Sequence, residues 1–307
     1  MSSRKAVSTK QSADDLSFYL IKQRALVEAA LKCSVPAATV RPVMIHKAMR
    51  YSLLAGGKRL RPILALVAAE ACGLTDPAKI MPAACAVELI HTYSLIHDDL
   101  PCMDDDDLRR GRPTSHKVFG EGVAVLAGDA LLTQAFALLA KVTPPKRYPL
   151  SSLLEETTMA AGSLQLIAGQ VADLEAEGKK LTLSDVRFIH KRKTAALLVL
   201  SLRLGAMTAN ATSSQLKALT EFGLALGLAF QIIDDILDVT QSSEQLGKSA
   251  GKDLAAAKAT YPAVIGLEAS RNAAARLTKK AHAALKSLGK KGTRLLEIAD
   301  YLLGRSF

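Results

Sequence analysis

The chain has 307 residues, of which 49% are hydrophobic and 4% are aromatic, with no tryptophan. This content of apolar side chains excludes a disordered chain and allows one large helical domain with a core of Ala, Leu, Ile and Val. The formal net charge of +11 suits a solvated basic surface, an anionic membrane, nucleic acid or a polyanionic small substrate. No zinc-knuckle or RNP pattern supports nucleic acid.

The cysteines and the apolar runs bear on the cellular compartment. The four cysteines fit no metal-binding spacing and no disulfide framework, which favours a reducing environment. No apolar signal core follows the first residue, and the longest uncharged run, 157–172, is shorter than the ~18 apolar residues of a membrane-spanning helix. We therefore predict a cytoplasmic protein with no stable membrane insertion.

In chain order, apolar residues recur with helical spacing from residue 14 onward, and alternating strand patterns are scarce. Residues 1–13 are polar and basic, so we predict a flexible segment there and a single domain over 14–307. Glycine and proline pairs at 56–57 and 144–145 mark breaks. The predicted helices span about 14–33, 37–54, 60–73, 78–100, 117–142, 150–176, 184–208, 213–240, 257–288 and 293–303.

The first acidic cluster reads LIHDDLPCMDDDDLRRGRPT and holds six aspartates between Asp98 and Asp107. A solvated loop is the common meaning of such a charge run. Here a strongly apolar segment, 83–96, precedes Asp98, so this aspartate ends a helix that we expect to be buried. Arg109 and Arg110 follow directly. Acidic and basic blocks side by side suit a metal ion together with an anionic ligand.

The second cluster reads FQIIDDILDVT. On a helix, Gln231, Asp234 and Asp238 share one face and Asp235 lies beside it. Two carboxylates at ~4 Å repel by about 4 kcal/mol at an effective dielectric of about 20, so three of them on an apolar helix require protons, cations or a metal. Oxygen-only ligands favour Mg²⁺, which also takes phosphate oxygens, so the pattern predicts a diphosphate substrate.

Basic residues accompany these clusters along the chain. Lys58 and Arg61 lie three residues apart near a predicted helix N-terminus, which favours an anion. His91 lies seven residues before Asp98 on the same helical face, although a lone histidine on an apolar helix is more often a core residue. Basic residues next to apolar walls suit a diphosphate with a hydrocarbon tail. Further basic residues follow at Lys193, Lys248 and Lys258.

The order of the motifs resembles that of the trans-isoprenyl diphosphate synthases, in particular their bacterial farnesyl and plant-type geranylgeranyl branch. The motifs are GGKRLRP, DDLPCMDDDDLRRGRPT, GQVAD, the Lys193-Thr194 pair, FQIIDDILD and GKDLAAAKATYP. The resemblance runs from about residue 40 to the C-terminus. It implies an all-α isoprenoid-synthase bundle of about ten or more helices around a central cavity. A homodimer is also implied, with Mg²⁺ as cofactor, as three ions with bound diphosphate, and with Mn²⁺ as a substitute.

The same resemblance implies the role of each site residue. The metal ligands would be Asp98, Asp104, Asp234, Asp235 and Asp238. The catalytic set would be Asp98, Asp99, Asp104, Asp234, Asp235 and Lys193. Within this set, Asp99 would support the metal ligands and would not itself bind the metal. The allylic diphosphate would be bound by Arg109, Lys193, Thr194, Gln231, Lys248 and Lys258. Isopentenyl diphosphate would be held by Lys58, Arg61, His91 and Arg110, with Gln170 and Asp173 as supporting polar residues.

The implied reaction is head-to-tail condensation of isopentenyl diphosphate with dimethylallyl or geranyl diphosphate after ionisation of the allylic C–O bond. In this family, bulky residues just before the first motif form the floor of the product cavity. Tyr93 and Ser94 are the fifth and fourth residues before Asp98. An aromatic at the fifth position, with the two extra residues of DDLPCMD, resembles bacterial farnesyl synthases.

This pattern favours all-trans farnesyl diphosphate as the product, with geranylgeranyl diphosphate as the alternative, and predicts that Tyr93→Ala lengthens the product. On an ideal helix, Ser94 lies about 40° from Asp98 and Tyr93 about 140° away, so the floor assignment rests on the resemblance. Two remoter alternatives are a terpene cyclase, which would carry one aspartate cluster, and a non-catalytic regulatory subunit, which would have lost a cluster or the basic residues. Both clusters and the basic residues are present in this chain.

Overall fold

The computed structural model describes the backbone of residues 2–240 and 260–304 and the side chains of 15–240 and 260–304. Within these ranges the chain is helical apart from one short hairpin, so the predicted all-α class is confirmed. Lys248 and Lys258, both predicted ligands of the allylic diphosphate, lie outside the described residues.

Short connections join the helices. The first part of the chain forms α1 (Ser2–Ser34), α2 (Val43–Leu53), α3 (Leu60–Ala71), α4 (Met81–Asp98), α5 (Ser115–Phe119) and α6 (Glu121–Leu139). The middle forms α7 (Leu150–Ala161), α8 (Leu166–Ala176), α9 (Leu183–Ile189), a π-helical turn (His190–Ala195), α10 (Ala196–Thr208) and α11 (Ser213–Thr240). The last part forms α12 (Tyr261–Ile265), α13 (Leu267–Ala284) and α14 (Thr293–Leu303), with 3₁₀ turns at Pro77–Lys79 and Leu285–Gly292.

Helix α10 lies at the centre of the bundle, between two hydrophobic clusters. Leu200 and Leu204 pack in a cluster with residues of α4 and α6. Leu198 and Leu202 pack in a second cluster with residues of α11 and α13. The sequence of α10 explains this position, because apart from Arg203 it is apolar almost all round, and such a helix is stable only when it is buried.

Several predicted helices are divided in the structure. Gly120 and Gly266 both have a φ of 83° and separate α5 from α6 and α12 from α13, since this left-handed conformation does not continue a helix. The predicted helix 150–176 is broken between α7 and α8. The first helix begins at Ser2, ahead of the predicted start at residue 14, while the division into a flexible segment and one domain stays a prediction.

The helical periodicity missed a hairpin formed by β1 (Leu108–Arg109) and β2 (Arg112–Pro113). Its two turn residues, Arg110 and Gly111, have φ values of 56° and 74°. Positive φ at both positions is the requirement of a type I′ turn. The hairpin places two of the predicted diphosphate ligands, Arg109 and Arg110, beside the first aspartate cluster.

Helix α6 is long and apolar enough to cross a membrane by length and composition alone. One side of it packs on α4, where His97 Nε2 lies 3.0 Å from the carbonyl oxygen of Val125. Asp129, in the middle of α6, has a side chain that is 58% exposed, and an aspartate at the centre of a bilayer costs ~2.5–3.5 kcal/mol. The exposed carboxylate in the middle of α6 therefore counts against a position of this helix across a bilayer.

Candidate active site

The loop after α4 folds back over the end of that helix. The backbone N–H of Asp104 donates to the carbonyl oxygen of Asp98 at 2.8 Å, and that of Asp106 donates to the carbonyl oxygen of Asp99 at 3.2 Å. Pro101 lacks an N–H and cannot continue the helical hydrogen bonding, which allows the reversal. Two of the predicted metal ligands, Asp98 and Asp104, are thereby brought next to each other.

The two aspartates at the end of α4 are buried. Burial raises the pKa of Asp98 to about 6; Lys193 opposes the rise and the carboxylate of Asp104 adds to it. Asp99 accepts a hydrogen bond from Arg109 Nε at 2.8 Å. Arg109, a predicted ligand of the allylic diphosphate, is thus held beside the cluster by one of its carboxylates.

The second cluster lies near the end of α11. Asp235 and Asp238 are buried and Asp234 is half-buried. The carboxylate of Asp235 accepts the backbone N–H of Tyr261 at 3.0 Å and the amide of Gln231 at 3.1 Å. These bonds fix the orientation of Asp235, because each of its oxygens has a separate donor.

Helix α8 links the first cluster to the π-helical turn. Gln170 donates from its side-chain amide to a carboxylate oxygen of Asp98. One turn further along α8, Asp173 forms an ion pair with Lys193 at 2.6 Å. The close approach depends on Gly169, since a Cβ at this position would lie 2.3 Å from the backbone nitrogen of Lys193.

The π-helical turn links α8 to the second cluster. Thr194 donates from Oγ1 to Gln231 Oε1 at 2.9 Å, and Gln231 donates in turn to Asp235. Helix α8 and the π-helical turn therefore have polar contacts with both clusters: Gln170 bonds to Asp98, and Thr194 reaches Asp235 through Gln231. The charges of Asp98 and Asp173 both act on Lys193, which adjoins Thr194 in this turn. The clusters lie 136 positions apart by their first aspartates at 98 and 234, and both adjoin these two elements.

Four predicted ligands of isopentenyl diphosphate lie on or near the turn that precedes α3. Lys58 and Arg110 are exposed, while Arg61 and His91 are half-buried. The guanidinium of Arg110 donates to the carbonyl oxygen of Gly56. A Cβ on Gly57 would lie 2.6 Å from that guanidinium, and the φ of 124° at Gly57 favours glycine at this position.

Positive charge dominates this side of the site. Burial lowers the pKa of Arg61 to about 10, with Glu88 opposing the change and Arg110 adding to it. Burial, together with the nearby arginines, lowers the pKa of His91 well below 6.5, so His91 is neutral at pH 7. A bound anion would relieve the repulsion among these cations.

The carboxylates of the two clusters fit Mg²⁺. Among the residues that the structure describes, no three potential ligands already converge at metal-binding distance. The donors are all carboxylate oxygens, and Mg²⁺ is usually held by one or two carboxylates with phosphate oxygens and waters completing its shell. A cation would also offset the burial and repulsion that raise the pKa of Asp98.

The sequence reading missed two residues that support the second cluster. His190 Nε2 lies 3.5 Å from an oxygen of Asp235, and its ring stacks on that of Tyr261 with centroids 5.4 Å apart. Burial lowers the pKa of His190 to about 4, so this side chain is neutral at pH 7. In the sequence, His190 is only part of a basic run. The ring that it packs against belongs to Tyr261, 71 positions later.

The two predicted chain-length residues lie on different sides of α4. The ring of Tyr93 meets the ring of His97 edge-on at 5.7 Å, on the side that packs against α6. Ser94 is four residues before Asp98 and shares its helical face, and its hydroxyl donates to the carbonyl oxygen of His91 at 2.9 Å. Ser94 therefore lies on the helical face of Asp98, while burial and the charge of Asp98 together raise the pKa of Tyr93 to about 12, so the Tyr93 hydroxyl is also within electrostatic reach of Asp98.

Comparison with known proteins adds a family match and close relatives. Residues 42–297 match the family model for polyprenyl synthetase. The chain is 50% identical to the heterodimeric geranylgeranyl pyrophosphate synthase large subunit 1, chloroplastic, of Arabidopsis thaliana, over 97% of this chain and 81% of that protein. It is 48% identical to the chloroplastic geranylgeranyl pyrophosphate synthase of Catharanthus roseus, over 97% of this chain and 83% of that protein. A solved structure of Helicobacter pylori geranyltransferase, complexed with magnesium and isoprenyl diphosphate, is 36% identical with a TM-score of 0.80, over 94% of this chain and 96% of that chain.

These relatives overturn the predicted cytoplasmic location, because both plant enzymes are named as chloroplastic. The prediction rested on the lack of an apolar signal core and of a disulfide framework. Organelle transit peptides are rich in Arg and Ser and need no apolar core. Neither test can therefore separate a plastid protein from a cytoplasmic one.

Proposed function

This chain belongs to the polyprenyl synthetase family, and from that premise we propose that it is a plastid geranylgeranyl diphosphate synthase. It condenses isopentenyl diphosphate head to tail with allylic diphosphates and stops at the all-trans C20 product. The observation that carries the reaction is that α8 and the π-helical turn reach both aspartate clusters: Gln170 and the charge of Lys193 act on Asp98, and Thr194 bonds to Gln231, which bonds to Asp235. We infer that the two aspartate clusters and the cationic turn before α3 surround one site.

The chain's own residues bind the two diphosphates and stabilise the developing charge. Lys193, Thr194 and Gln231 face the allylic diphosphate. As the allylic C–O bond breaks, its electron pair leaves with the diphosphate, and the cationic side chains stabilise the added negative charge. Lys58 and Arg61 hold isopentenyl diphosphate so that its double bond attacks the allylic cation. The proton lost from the new cation goes to the released diphosphate.

Asp98, Asp104, Asp234, Asp235 and Asp238 are the residues that would hold Mg²⁺. When bound, the metal supplies positive charge that neutralises the diphosphate and favours its departure. The magnesium and isoprenyl diphosphate of the H. pylori structure support this assignment. Gln170 and Asp173 orient Asp98 and Lys193 and are positioning residues in this scheme.

The C20 product is supported by the names of the plant relatives and by the two sides of α4. Tyr93 packs towards α6 with His97, whereas the face of Asp98 carries the small side chain of Ser94. A small residue on that face leaves room for a longer chain. We thus favour geranylgeranyl over the farnesyl product that the aromatic at position 93 first indicated.

A homodimer is the assembly we propose, with its interface on α6, α7 and α8. Exposed apolar side chains occur on these helices and in the turn between α7 and α8, at Val125, Leu126, Met159, Leu164, Ile167 and Val171. Exposed apolar side chains that form one patch mark an interaction site, and we infer that these six do so. The heterodimeric name of one relative makes a different subunit the alternative partner.

The function is tested by incubating the purified protein and Mg²⁺ with labelled isopentenyl diphosphate and each allylic primer in turn. We expect dimethylallyl, geranyl and farnesyl diphosphate all to be extended, with C20 diphosphate as the main product. Accumulation of C15 diphosphate would show a farnesyl synthase instead. A lack of any extension by a folded protein would contradict the catalytic proposal.

A further inference from the structure

The turn before α3 contains a buried arginine that the proposed reaction leaves without a role. Arg59 lies between Lys58 and Arg61, yet its side chain has no exposed surface, whereas Lys58 is exposed. A buried guanidinium is costly unless it is paired and hydrogen-bonded. The partners of Arg59 therefore indicate what this residue does.

The guanidinium of Arg59 joins the turn to three helices. Its Nε donates to Glu28 Oε1 on α1 at 2.7 Å, and Nη1 donates to Glu88 Oε1 on α4 at 2.8 Å. Its Nη2 donates to the carbonyl oxygen of Leu53, the last residue of α2, at 2.7 Å. The planar fork of arginine makes these bonds from three separate nitrogens, whereas the three donors of a lysine share one nitrogen and cannot reach acceptors spaced around a guanidinium.

The backbone of Arg59 is also in an unusual conformation. Its φ is 50°, and those of Gly56 and Gly57 are 83° and 124°. The left-handed region is unfavourable for a residue with a side chain and persists only where the surroundings hold it. Arg59 immediately precedes α3, so its conformation sets the direction of the helix from which Arg61 extends.

Glu88 connects this arrangement to the basic side of the site. It is buried, and it lies three residues before His91 on α4, so the two share a helical face. Its charge also acts on Arg61 and Arg110, opposing the fall in their pKa values that burial causes. One carboxylate thus holds Arg59 and faces the residues assigned to isopentenyl diphosphate.

We propose that Arg59, through Glu28 and Glu88, is a positioning residue for isopentenyl diphosphate. It anchors the 56–59 turn on α1 and α4, so that Lys58 and Arg61 converge with His91 on one diphosphate. The proposal rests on the proposed function, because it takes isopentenyl diphosphate as the ligand of these basic residues.

The test compares Arg59→Lys and Glu28→Gln with wild type. We measure KM for each substrate and the calorimetric affinity for isopentenyl diphosphate, with the allylic site filled by farnesyl thiolodiphosphate and Mg²⁺. Arg59→Lys keeps the charge but loses the fork, so we expect KM and Kd for isopentenyl diphosphate to rise about tenfold or more. KM for farnesyl diphosphate should change less than about twofold. Glu28→Gln should shift the same constants in the same direction by a smaller factor.

Arg203→Lys is the matched control. Arg203 also joins three helices, since it lies on α10 and bonds to Glu156 on α7 and Thr220 on α11, but it lies outside the described site. Its substitution should lower the melting temperature without raising KM for isopentenyl diphosphate.

Two results would overturn the proposal: equal rises in both KM values for Arg59→Lys, or an unchanged Kd for isopentenyl diphosphate in folded variants. Should Arg59→Lys fail to fold, the Kd of Glu28→Gln decides. A wild-type protein that condenses no isopentenyl diphosphate would instead refute the proposed function, so the two failures are distinct.

Discussion

At the scale of single residues, replacing an aspartate of either cluster should affect catalysis but not folding. Asp98 is buried with a raised pKa, and Asp234 lies half-buried on α11. Replacing either with alanine removes a proposed metal ligand without creating a large cavity. We expect Asp98→Ala and Asp234→Ala each to lower kcat by at least ~10³-fold, the scale of losing a main electrostatic contributor, with unchanged circular dichroism. Asp107→Ala is the control, because Asp107 belongs to the same acidic run but is exposed and pairs with Lys117. Near wild-type turnover in Asp98→Ala would contradict the two-cluster site.

The pH dependence of the magnesium requirement follows from Asp98. Its pKa in the folded protein is about 6, above the ordinary value of 3.8, so the carboxylate is ionised above pH 6 and takes up a proton below it. Magnesium binds only the ionised form. The Mg²⁺ concentration for half-maximal rate should therefore rise as pH falls from 7.5 to 5.5, by up to about tenfold per pH unit below 6 for one competing proton. A requirement that is constant over this range would contradict the role of Asp98 as a ligand.

The length of the product shows whether Tyr93 or Ser94 limits the growth of the chain. We expect Ser94→Phe to shift the main product from C20 towards C15, because the added ring lies on the helical face of Asp98 and shortens the cavity. Ser94→Ala is the control and should keep the C20 product. Thin-layer or mass analysis of the dephosphorylated alcohols gives the lengths. If Tyr93→Ala lengthens the product and Ser94→Phe leaves it unchanged, the aromatic residue sets the length after all.

Some contacts of the candidate site could be predicted from the sequence and others could not. The spacing of Gln231, Asp234 and Asp235 predicts their side-by-side arrangement, because it depends only on helix geometry. The pairing of Arg109 with Asp99 was not predictable in this way. It is formed by a loop and a hairpin whose turn residues have positive φ, and helical periodicity carries no information on such conformations.

At the scale of elements, the contact of α8 with the π-helical turn holds the two halves of the site together. Gly169→Ala would place a Cβ 2.3 Å from the backbone nitrogen of Lys193, and a backbone atom cannot turn aside. We expect a loss of about 1–3 kcal/mol in the free energy of unfolding, the usual cost of overpacking. Turnover should fall as well, because Asp173 moves away from Lys193. Denaturant titration and steady-state kinetics measure both.

Gly122→Ala provides the comparison for this prediction. Gly122 is also helical, and a Cβ there meets nothing within 4 Å. Alanine is favoured over glycine in a helix by about 1 kcal/mol, so this variant should be as stable as wild type or more so. Equal stability of the two variants would show that the α8 contact is looser than the distances indicate.

Helix boundaries were predicted well where buried residues recur with helical spacing. They were predicted poorly where the chain changes direction. Helix α10 ends at Thr208, the predicted residue, and helix α11 begins at Ser213, also as predicted. The predicted helix 184–208, however, contains the π-helical turn His190–Ala195, which presents Lys193 and Thr194 to the site. A π turn leaves no apolar signature in the sequence, because one inserted residue shifts the register without changing the composition.

At the scale of the whole molecule, the proposed interface and the candidate active site share the same helices. Helix α8 presents Gln170 and Asp173 to the site and exposes Ile167 and Val171 on another face. Helix α6 packs on the end of α4, where a Cβ on Gly128 would lie 2.2 Å from the ring of His97. A partner that covers the exposed face of α6 and α8 therefore supports the elements that position Asp98 and Lys193.

Leu126→Asp tests this coupling. Leu126 is 57% exposed on α6, so an aspartate costs the isolated chain little but would bury an unpaired charge in a dimer. Light scattering after size exclusion should show a dimer for wild type and a monomer for the variant. Turnover per wild-type chain should fall at protein concentrations below the dissociation constant of the dimer. Phe18→Asp is the control, because Phe18 is 71% exposed on α1, outside the proposed interface, and should leave the mass unchanged. A wild-type monomer with full activity would refute the dimer, whereas a monomer activated only by a different subunit would assign the same face to a heteromeric partner.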